Sequence, residues 1–418
     1  MTSRMLWNKY FTPLFVYFLL LVTAGPFQFS YAGGFQINTQ GQKAVGMGGC
    51  FTAVNTDASA LYFNPGGMTF LEKKINLTAG VAFIIPRVSV QTGAVYNTDM
   101  TSPVANPVQF YFVSTFKEKF SIGFGVNNQF GSTSSYPDEW QGKYVIQTLS
   151  LKTFMYQPTF AYKFHDNFSI GAGFVYASGK FSLKKAVPLS GSMTEHGEAN
   201  LSGAGDGFGF NAGIFSRLTG NFSIGASYRS SLQVDLQNGS VQFSDIPSYL
   251  NYMFPDTTSF TSSLTLPAVL SAGIKYRVNE KIFWVFDVNR TFWSSYDSLK
   301  FDFYNAETPD AAEGRLWRNT ITFRTGASYQ VTEKITLRAG CYYDQTPVMD
   351  GFVSPELPDN SHAGFTAGLG YKISGRFSFD IAWLYSNVKR DGVLEAKGFS
   401  GKYHRIINVI GIGANIAL

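Results

Sequence analysis

Apolar residues alternate with small or polar residues in short segments along most of this chain. In the segment that begins at Phe168, every second residue is apolar: Phe168, Ile170, Ala172, Phe174 and Tyr176. The chain ends on the same pattern, with one face formed by Ile410, Ile412, Ala414, Ile416 and Leu418. A period of two residues is typical of β-strands that present one face to an apolar environment. The pattern therefore predicts an all-β fold.

A polar tight turn followed by an apolar residue recurs six times. Three similar copies lie at residues 117–123, 166–171 and 220–225, and looser copies begin at Asn279, Thr332 and Ser374. Each copy predicts a tight hairpin, so six copies account for twelve strands. One further strand at each end of residues 75–418 makes fourteen, an even number that suits a closed barrel. We therefore predict a 14-stranded antiparallel transmembrane β-barrel.

The composition favours a membrane barrel over a large soluble β-protein, which is the alternative. Of all residues, 17% are aromatic, 15% are charged and 42 are glycine. No apolar run after residue 32 approaches the roughly 18 residues that a spanning helix needs. Since bilayer hydrocarbon admits only helices and closed barrels, the apolar faces are expected to meet lipid. Short turns then belong on the periplasmic side and the seven long connections outside the cell.

Residues 1–32 are interpreted as a secretory signal peptide. Arg4 and Lys9 precede an apolar stretch at residues 11–22, and Ala32 supplies a small residue at the cleavage position. A membrane anchor is the alternative, but two prolines bracket a short apolar core. The mature chain is expected to begin at Gly33, and a barrel with such a leader belongs in the outer membrane of a Gram-negative cell.

Charge and cysteine content narrow the function further. The formal charge of +5 becomes +3 once Arg4 and Lys9 are removed, and no basic run makes nucleic acid an expected partner. No nucleotide-binding or metal-ligand spacing stands out, so no cofactor is expected. We predict that Cys50 and Cys341 do not pair, because Cys341 falls on a predicted lipid face and Cys50 in a segment placed inside the barrel.

Residues 33–74 precede the first predicted strand and make a poor lipid-facing strand. They contain Asn64-Pro65-Gly66-Gly67, and proline cannot donate to a strand ladder. A compact segment folded into the lumen would plug the barrel as an N-terminal hatch. A periplasmic tail is the alternative, which would expose many apolar residues, among them Phe51, Leu61, Phe63 and Phe70.

Charged residues are predicted on the inner face, because a charge is costly against hydrocarbon and tolerable in a hydrated lumen. The alternation of residues along the strands places four charged residues on this inner face: Arg229, Asp287, Arg338 and Asp380. Mutual pairing within the lumen is one interpretation, and contact with a ligand is the other.

The connection at residues 236–262 carries apolar residues at helical spacing: Ile246, Tyr249, Leu250, Met253 and Phe254. A short amphipathic helix there would hold an apolar surface outside the barrel mouth. A loop packed on itself is the alternative.

Several motifs, in order along nearly the whole mature chain, resemble the FadL-type outer-membrane transporter family. Gly34-Phe35-Gln36-Ile37 resembles the family's N-terminus, and Asn64-Pro65-Gly66 resembles its Asn-Pro-Ala hatch motif, with glycine in place of alanine. Further resemblances lie at residues 136–144, 265–267, 289–294, 343–348 and 357–359.

The resemblance implies transport of long-chain fatty acids or other hydrophobic compounds by passive diffusion through an apolar pocket. The ligand would first settle among the outer loops, where the candidate residues are Tyr249, Leu250, Met253 and Phe254. It would then enter a lumen pocket closed by a hatch, whose candidate gating residues are Gly33, Gly34, Phe35, Asn64, Pro65 and Gly66.

The resemblance also implies a sideways exit into the bilayer through a kink in the third strand, residues 120–130. The candidate residues are Gly123, Gly125, Asn127 and Asn128. Glycine within a strand often marks a bend or bulge. The alternative is that these are ordinary glycines facing the lumen.

Other functions remain as rivals at this point. A lipid hydrolase would need a nucleophile, a histidine and an acid brought together, and only four histidines are available. A diffusion porin is a second rival, and an uptake channel for aromatic or aliphatic hydrocarbons is a third. Arg229 and Arg338 favour fatty acids weakly, as partners for a carboxylate. The expected partners are a hydrophobic ligand and outer-membrane lipid, and a monomer is expected.

Overall fold

The computed structural model describes residues 33–94, 96–101, 103–189 and 196–418. The predicted signal peptide, residues 1–32, lies outside the described residues. Within these described residues, two four-residue helices, α1 (Gln42–Val45) and α2 (Ala60–Phe63), precede the first strand. Single 3-10 turns occur at Pro65–Phe70, Ser248–Leu250, Trp293–Ser295 and Glu395–Lys397. In this described part of the chain, no helix is long and apolar enough to cross a membrane.

Twenty strands follow in the part of the chain that the structure describes. The first ten are β1 (Ile75–Thr92), β2 (Tyr96–Asp99), β3 (Val108–Phe116), β4 (Phe120–Asn127), β5 (Gly131–Ser135), β6 (Thr148–His165), β7 (Phe168–Pro188), β8 (His196–Arg217), β9 (Phe222–Arg229) and β10 (Leu232–Ser244). The others are β11 (Thr257–Leu266), β12 (Val269–Arg277), β13 (Ile282–Thr291), β14 (Ser298–Phe303), β15 (Ala311–Gly314), β16 (Thr320–Gln330), β17 (Ile335–Asp344), β18 (His362–Lys372), β19 (Phe377–Leu394) and β20 (Phe399–Ala417).

These strands form fourteen positions in a closed antiparallel barrel, as predicted. Three positions are each built from two consecutive strands, namely β4 with β5, β9 with β10, and β11 with β12. The strand β2 and the hairpin of β14 with β15 add no position of their own. Pairing of β1 with β20, from Asn76 opposite Ala417 to Gln91 opposite Lys402, closes the ring.

The six repeated turns all join neighbouring strands at one end, which we call the short-turn end. At the first of them, Lys117 and Glu118 have φ values of 48° and 58°. Positive φ at both central residues gives the turn a twist that matches the flanking strands. The opposite end, with the longer connections, is called the long-loop end.

Strands at the long-loop end are longer than the alternation predicts. The sequence predicts a loop at residues 185–206, whereas β7 continues to Pro188 and β8 begins at His196. The ladder persists here, with Lys184 opposite Asn200. Polar residues occupy the outer face of this stretch, so backbone pairing continues after the hydrophobic signal has ended.

Residues 33–74 lie against the inner face of the barrel wall. Backbone N–H groups of Phe51 and Thr52 donate to Asp287 on β13, both at 2.9 Å. Gly48 donates to Thr366 on β18 at 2.9 Å, and Gly41 donates to Gln109 on β3 at 2.9 Å. These strands are distributed around the ring, so the segment is bonded to several sides of the wall at once.

The two cysteines are free, with Cys50 buried and Cys341 partly exposed. Cys341 lies on β17 in the same alternation as the exposed Leu337. The prediction that they do not pair is therefore confirmed.

Candidate functional site

Two adjoining cavities lie between residues 33–39 and the wall. The first, here the lateral cavity, has a volume of about 620 Å³ and is lined by residues 33–39, by residues 103–108 and by residues 128 and 130–133. The second, here the apolar chamber, has a volume of about 90 Å³ and lies toward the long-loop end. Phe35, Leu151 and Leu357 line both cavities.

The lateral cavity reaches an interruption in the third strand position. Strand β4 ends at Asn127 opposite Met155, and β5 resumes at Gly131 opposite Lys152. Three residues, 128–130, therefore face only two residues of β6, which is a β-bulge that bends the strand. Within the described chain, β5 is paired as a strand only with β6.

The neighbouring segment leaves a gap beside this bulge. Residues 103–107 contain two prolines, which cannot donate to a ladder, and β3 begins only at Val108. Val104 and Phe154 line the lateral cavity although they are 51% and 39% exposed on the outer face. Residues that are exposed beside the bulge therefore also border the lateral cavity.

Asn128 holds the edges of this gap together. Its side chain donates to the carbonyl of Thr153 on β6 at 2.6 Å, and its oxygen accepts from the N–H of Val108 on β3 at 2.8 Å. One side chain therefore replaces part of the missing backbone pairing.

The other three candidate residues of this strand lie in its regular part. Gly123, Gly125 and Asn127 are continuously paired with β3 and β6. A Cβ at Gly123 or at Gly125 would collide with the side chain of Leu61. These glycines therefore make room for residues 33–74, as the alternative interpretation has it, and the interruption begins after Asn127.

Phe35 separates the two cavities. Its ring packs in an aromatic cluster with ring centroids 5.0 Å away at Trp293, 5.4 Å at Tyr296, 5.7 Å at Trp317 and 5.8 Å at Phe130. Phe130 belongs to the interruption itself. The preceding Gly34 has φ of 57°, and a Cβ there would lie 2.6 Å from Trp293, so the position admits only glycine.

Asp359 fixes the backbone just before Phe35. Its carboxylate accepts hydrogen bonds from the N–H groups of Gly33 and Gly34, both at 3.2 Å, and pairs with Arg405 at 3.1 Å. Burial raises the pKa of this carboxyl group, while the charge of Arg405 lowers it. The start of the described chain is thus tied to the connection between β17 and β18.

The motif Asn64-Pro65-Gly66 is anchored on the inner face of the barrel, at strand β8. The Asn64 side chain donates to the carbonyls of Thr52 and Ile214, both at 2.8 Å, and accepts from Gly66 at 3.1 Å. Pro65 begins a 3-10 helix. A Cβ at Gly66 would lie 2.9 Å from the backbone nitrogen of Phe215, so the alanine of the resembling motif has little room here.

The wall of the apolar chamber is mostly aliphatic and aromatic, formed by Leu151, Leu183, Val234, Leu236, Leu264 and Phe301. Arg315 also lines it and pairs with Glu356 and, at 3.1 Å, with Glu313. Burial raises the pKa of Glu356, and the charge of Arg315 opposes that shift. Lys180 and Lys185 also border the chamber, but Lys180 lies on the outward alternation of β7 and is exposed, so Lys185 is the other cation that faces inward. Among the described residues no carboxylate forms an ion pair with Lys185.

Arg229 and Arg338, predicted as possible carboxylate partners, line neither of these cavities. Arg338 pairs with Asp380 at 2.7 Å, and Arg229 donates to Gln157 at 3.0 Å and to the carbonyl of Tyr62 at 3.1 Å. Arg229 borders a separate polar cavity of about 50 Å³. Both guanidinium groups are engaged within the barrel.

The predicted amphipathic helix near Leu250 is wrong. Only a 3-10 turn, Ser248–Leu250, forms there, because Pro247 and Pro255 leave too few residues for a stable helix. Tyr249 is 66% exposed, whereas Phe254 packs on Phe243 with centroids 5.3 Å apart. Met253 and Leu250 are partly buried in the same turn. This connection is the self-packed loop of the alternative interpretation.

Sequence reasoning assigned no role to Phe130 or Lys185, and it gave Asp359 only as part of the motif at residues 357–359. Lys185 continues the inward-facing series of Phe181 and Leu183 on β7, and a lysine in that series could have indicated a charge inside the barrel. The motif at residues 357–359 did not show what Asp359 contacts, because Gly33 and Gly34 lie more than 300 residues away from it along the chain.

Comparison with known proteins agrees with this geometry. The family model of outer membrane protein transport proteins (OMPP1/FadL/TodX) matches residues 24–417. A long-chain fatty acid transport protein of Escherichia coli O6:H1 is 25% identical over 411 residues, which cover 88% of this chain and 90% of the relative.

Two solved structures share the fold. A Pseudomonas aeruginosa FadL homologue superposes with a TM-score of 0.78 at 20% identity, covering 92% of this chain and all of that one. The Pseudomonas putida toluene transporter TodX superposes with a TM-score of 0.72 at 17% identity, covering 90% and 98%. The family match spans far more than half of the chain. This protein therefore belongs to the OMPP1/FadL/TodX family of outer membrane transport proteins and is itself a Gram-negative outer-membrane β-barrel.

Proposed function

We propose that this protein carries hydrophobic molecules, most favourably long-chain fatty acids, from the cell exterior into the outer membrane by passive diffusion. The family is one of transporters and not of enzymes. The observation that carries the proposal is the lateral cavity, which extends from Phe35 to the interruption at residues 128–130. An apolar molecule that passes Phe35 can reach the bilayer without crossing the periplasm.

The apolar chamber supplies the driving force for capture. Each methylene group transferred from water to an apolar surface gains about 0.8 kcal/mol. The short-turn end offers no comparable exit, because residues 33–74 bond to the wall on several sides. We propose that this segment acts as a hatch and that Gly33, Gly34 and Phe35 move when a ligand enters the chamber. Asn64, Pro65 and Gly66 would keep the rest of the hatch in place.

Fatty acids are favoured over neutral hydrocarbons by Lys185. Its ammonium group lines the apolar chamber without an ion-pair partner among the described residues. A carboxylate would form an ion pair with that half-buried ammonium group, whereas a hydrocarbon would not. Relatives of both kinds are known, since one is a long-chain fatty acid transport protein and another a toluene transporter.

Deletion of Gln129 tests the sideways exit. Without Gln129, two residues of the third strand position would lie opposite Thr153 and Phe154 of β6. The ladder of backbone hydrogen bonds could then continue from β4 into β5. Cells that carry the variant are expected to take up a labelled long-chain fatty acid at less than a tenth of the wild-type rate. Deletion of Glu307, in the exposed connection between β14 and β15, is the matched control and should leave uptake unchanged.

Assembly of the shortened barrel is checked by its heat-modifiable migration on gels. Normal uptake by an assembled Gln129 deletion would refute lateral exit. Steady conductance of small ions by the wild-type protein in planar bilayers would favour the diffusion porin instead.

A further inference from the structure

The outward faces of β6 and β7 change from apolar to polar at one level. On β7 the apolar series that begins at Phe168 ends at Tyr176, and Ser178 and Lys180 follow. On β6 the corresponding positions are Phe154 and then Lys152. Aromatic rings pack side by side just below the change, with Tyr176 lying 5.9 Å from Tyr156 and 5.4 Å from Phe208. Such a girdle marks the edge of the hydrocarbon layer.

The height of Lys180 agrees with this boundary. It follows Phe168, at the short-turn end of β7, by twelve residues. With a rise of about 3.3 Å per residue and a tilt of about 40°, it lies roughly 30 Å above Phe168 along the barrel axis. The apolar band of such barrels is about 25 Å tall. Lys180 therefore lies at the level of the outer-leaflet headgroups.

Two lysines face each other at this level. Lys152 and Lys180 are directly opposite in the ladder, and both are exposed. In the described parts of the chain, neither forms an ion pair, whereas the nearby Lys184 is paired with Glu198 at 2.9 Å and with Asp138 at 3.2 Å. Like charges directly opposite one another destabilise a strand pair. An anion bound between Lys152 and Lys180 would neutralise this repulsion.

The surroundings suit a phosphate group. The next outward pair along the same strands is Ser150 opposite Ser182, which adds two hydroxyl donors on the long-loop side. Asp206, the carboxylate nearest in register, lies on β8 diagonal to Lys180 and opposite another acid, Asp235. Elsewhere on the barrel exterior a lysine faces an acid, as Lys402 faces Asp391. Among the strand pairings of the described residues, no other position sets a lysine directly opposite a lysine.

We propose that Lys152 and Lys180, together with Ser150 and Ser182, bind the phosphate of a phosphorylated lipid in the outer leaflet. Phosphate offers several strong acceptor oxygens and a charge that two ammonium groups can neutralise. The acyl chains of the same lipid lie along Phe154 and Tyr176 below. Lys152 also borders the lateral cavity and faces Gly131 at the strand interruption, so the bound lipid stands beside the opening.

The test uses the purified full-length mature protein in detergent micelles doped with phosphatidic acid or with phosphatidylcholine. Native mass spectrometry counts the lipid retained on the barrel. The wild type is expected to retain phosphatidic acid preferentially. Lys152→Gln combined with Lys180→Gln should lower its apparent affinity about thirtyfold, since each lysine at an anionic membrane surface contributes roughly fivefold.

Matched variants make the outcome specific. Lys300→Gln with Lys397→Gln removes two lysines from the outer connections and should leave retention unchanged. Asp206→Asn removes the nearest carboxylate and should strengthen retention. Equal retention of both lipids by the wild type would overturn the proposal, and so would unchanged affinity in the Lys152/Lys180 double variant. Binding of inorganic phosphate as tight as that of phosphatidic acid would equally overturn it, because the site would then recognise a free anion.

Discussion

Strands β4 and β7 begin with the same four residues and build very different walls. Both start with Phe-Ser-Ile-Gly, at residues 120–123 and 168–171. From there β7 remains paired with β8 over its whole length, ending with Pro188 opposite His196. Strand β4 ends after eight residues, at Asn127, and a bulge follows. The shared Phe-Ser-Ile-Gly motif sets the register in which each strand pairs with its neighbours. The residues that interrupt the alternation of apolar and polar positions decide where that pairing ends.

The glycines of the two walls sharpen this comparison. Gly123 and Gly171 occupy the same place in the repeat, and both face residues 33–74. Among residues 33–74, a Cβ at Gly171 would lie 2.6 Å from the backbone of Pro65, whereas a Cβ at Gly123 would meet the flexible ends of the Leu61 and Met68 side chains. The other close contact at Gly123 is the backbone oxygen of Phe112 at 2.9 Å, which belongs to the neighbouring wall strand. A backbone cannot yield as a side chain can, so the regular wall holds the proposed hatch more rigidly.

The largest effect is expected for Gly171→Val. The added side chain should push Pro65 away from the wall and open a path for ions through an assembled barrel, because overpacking against backbone is relieved only by moving the segment. Channel recordings in planar bilayers would show lasting conductance steps. Gly123→Val is the matched variant and should show far fewer openings, since Leu61 can change rotamer. Equal conductance in the two variants would break the comparison.

An intermediate effect is expected for Lys185→Gln in the apolar chamber. Losing a charge-assisted hydrogen bond costs about 1.5–3 kcal/mol, which corresponds to roughly tenfold or more in fatty acid affinity. Binding of a fluorescent long-chain fatty acid to the purified protein measures this loss. Binding of an uncharged hydrocarbon should not weaken. Lys184→Gln, the outward-facing neighbour on the same strand, should bind the fatty acid like the wild type, and a loss in that control would contradict the role of Lys185.

The smallest effect is expected for Asn128→Ala at the interruption. Two hydrogen bonds across the gap disappear, each with a net value of about 0.5–1.5 kcal/mol. The remainder of the barrel should be unaffected, so the unfolding temperature should fall only slightly in a thermal melt. Hydrogen exchange should rise at Val108 and residues 128–133 and remain unchanged along β7. An equal rise along β7 would show that the gap is no weaker than the regular wall.

Much of the barrel could be predicted from the sequence, because strand faces and tight turns depend on residues close together in the chain. The alternation of apolar residues predicts strand starts at Ile75, Phe120, Phe168, Phe222, Ile282, Ile335 and Phe377, which coincide with the observed starts, and it predicts a further start at Gly207. The start of β8 is wrong by eleven residues, from Gly207 to His196, because above the girdle the alternation no longer reports burial.

The candidate site could be predicted only in part. The resemblance pointed to the third strand, and Asn128 does lie at its interruption, while Gly123 and Gly125 serve the packing of residues 33–74 instead. Arg229 and Arg338 were chosen for their inward alternation, which cannot tell a free cation from a paired one. Pairing with Asp380 or Gln157 depends on which strands are neighbours.

The sequence by itself determined the fourteen strand positions, their alternating faces, the closure of the ring and the location of all the tight turns at one end. The tertiary structure alone decided the course of residues 33–74, the two cavities at Phe35, the absence of an ion pair at Lys185 among the described residues, and the two opposed lysines at the girdle. The physical reason is distance along the chain. Alternation and turn chemistry act within a few residues, whereas Gly33 meets Asp359 across a separation of 326 residues, and only the closed ring brings such groups together.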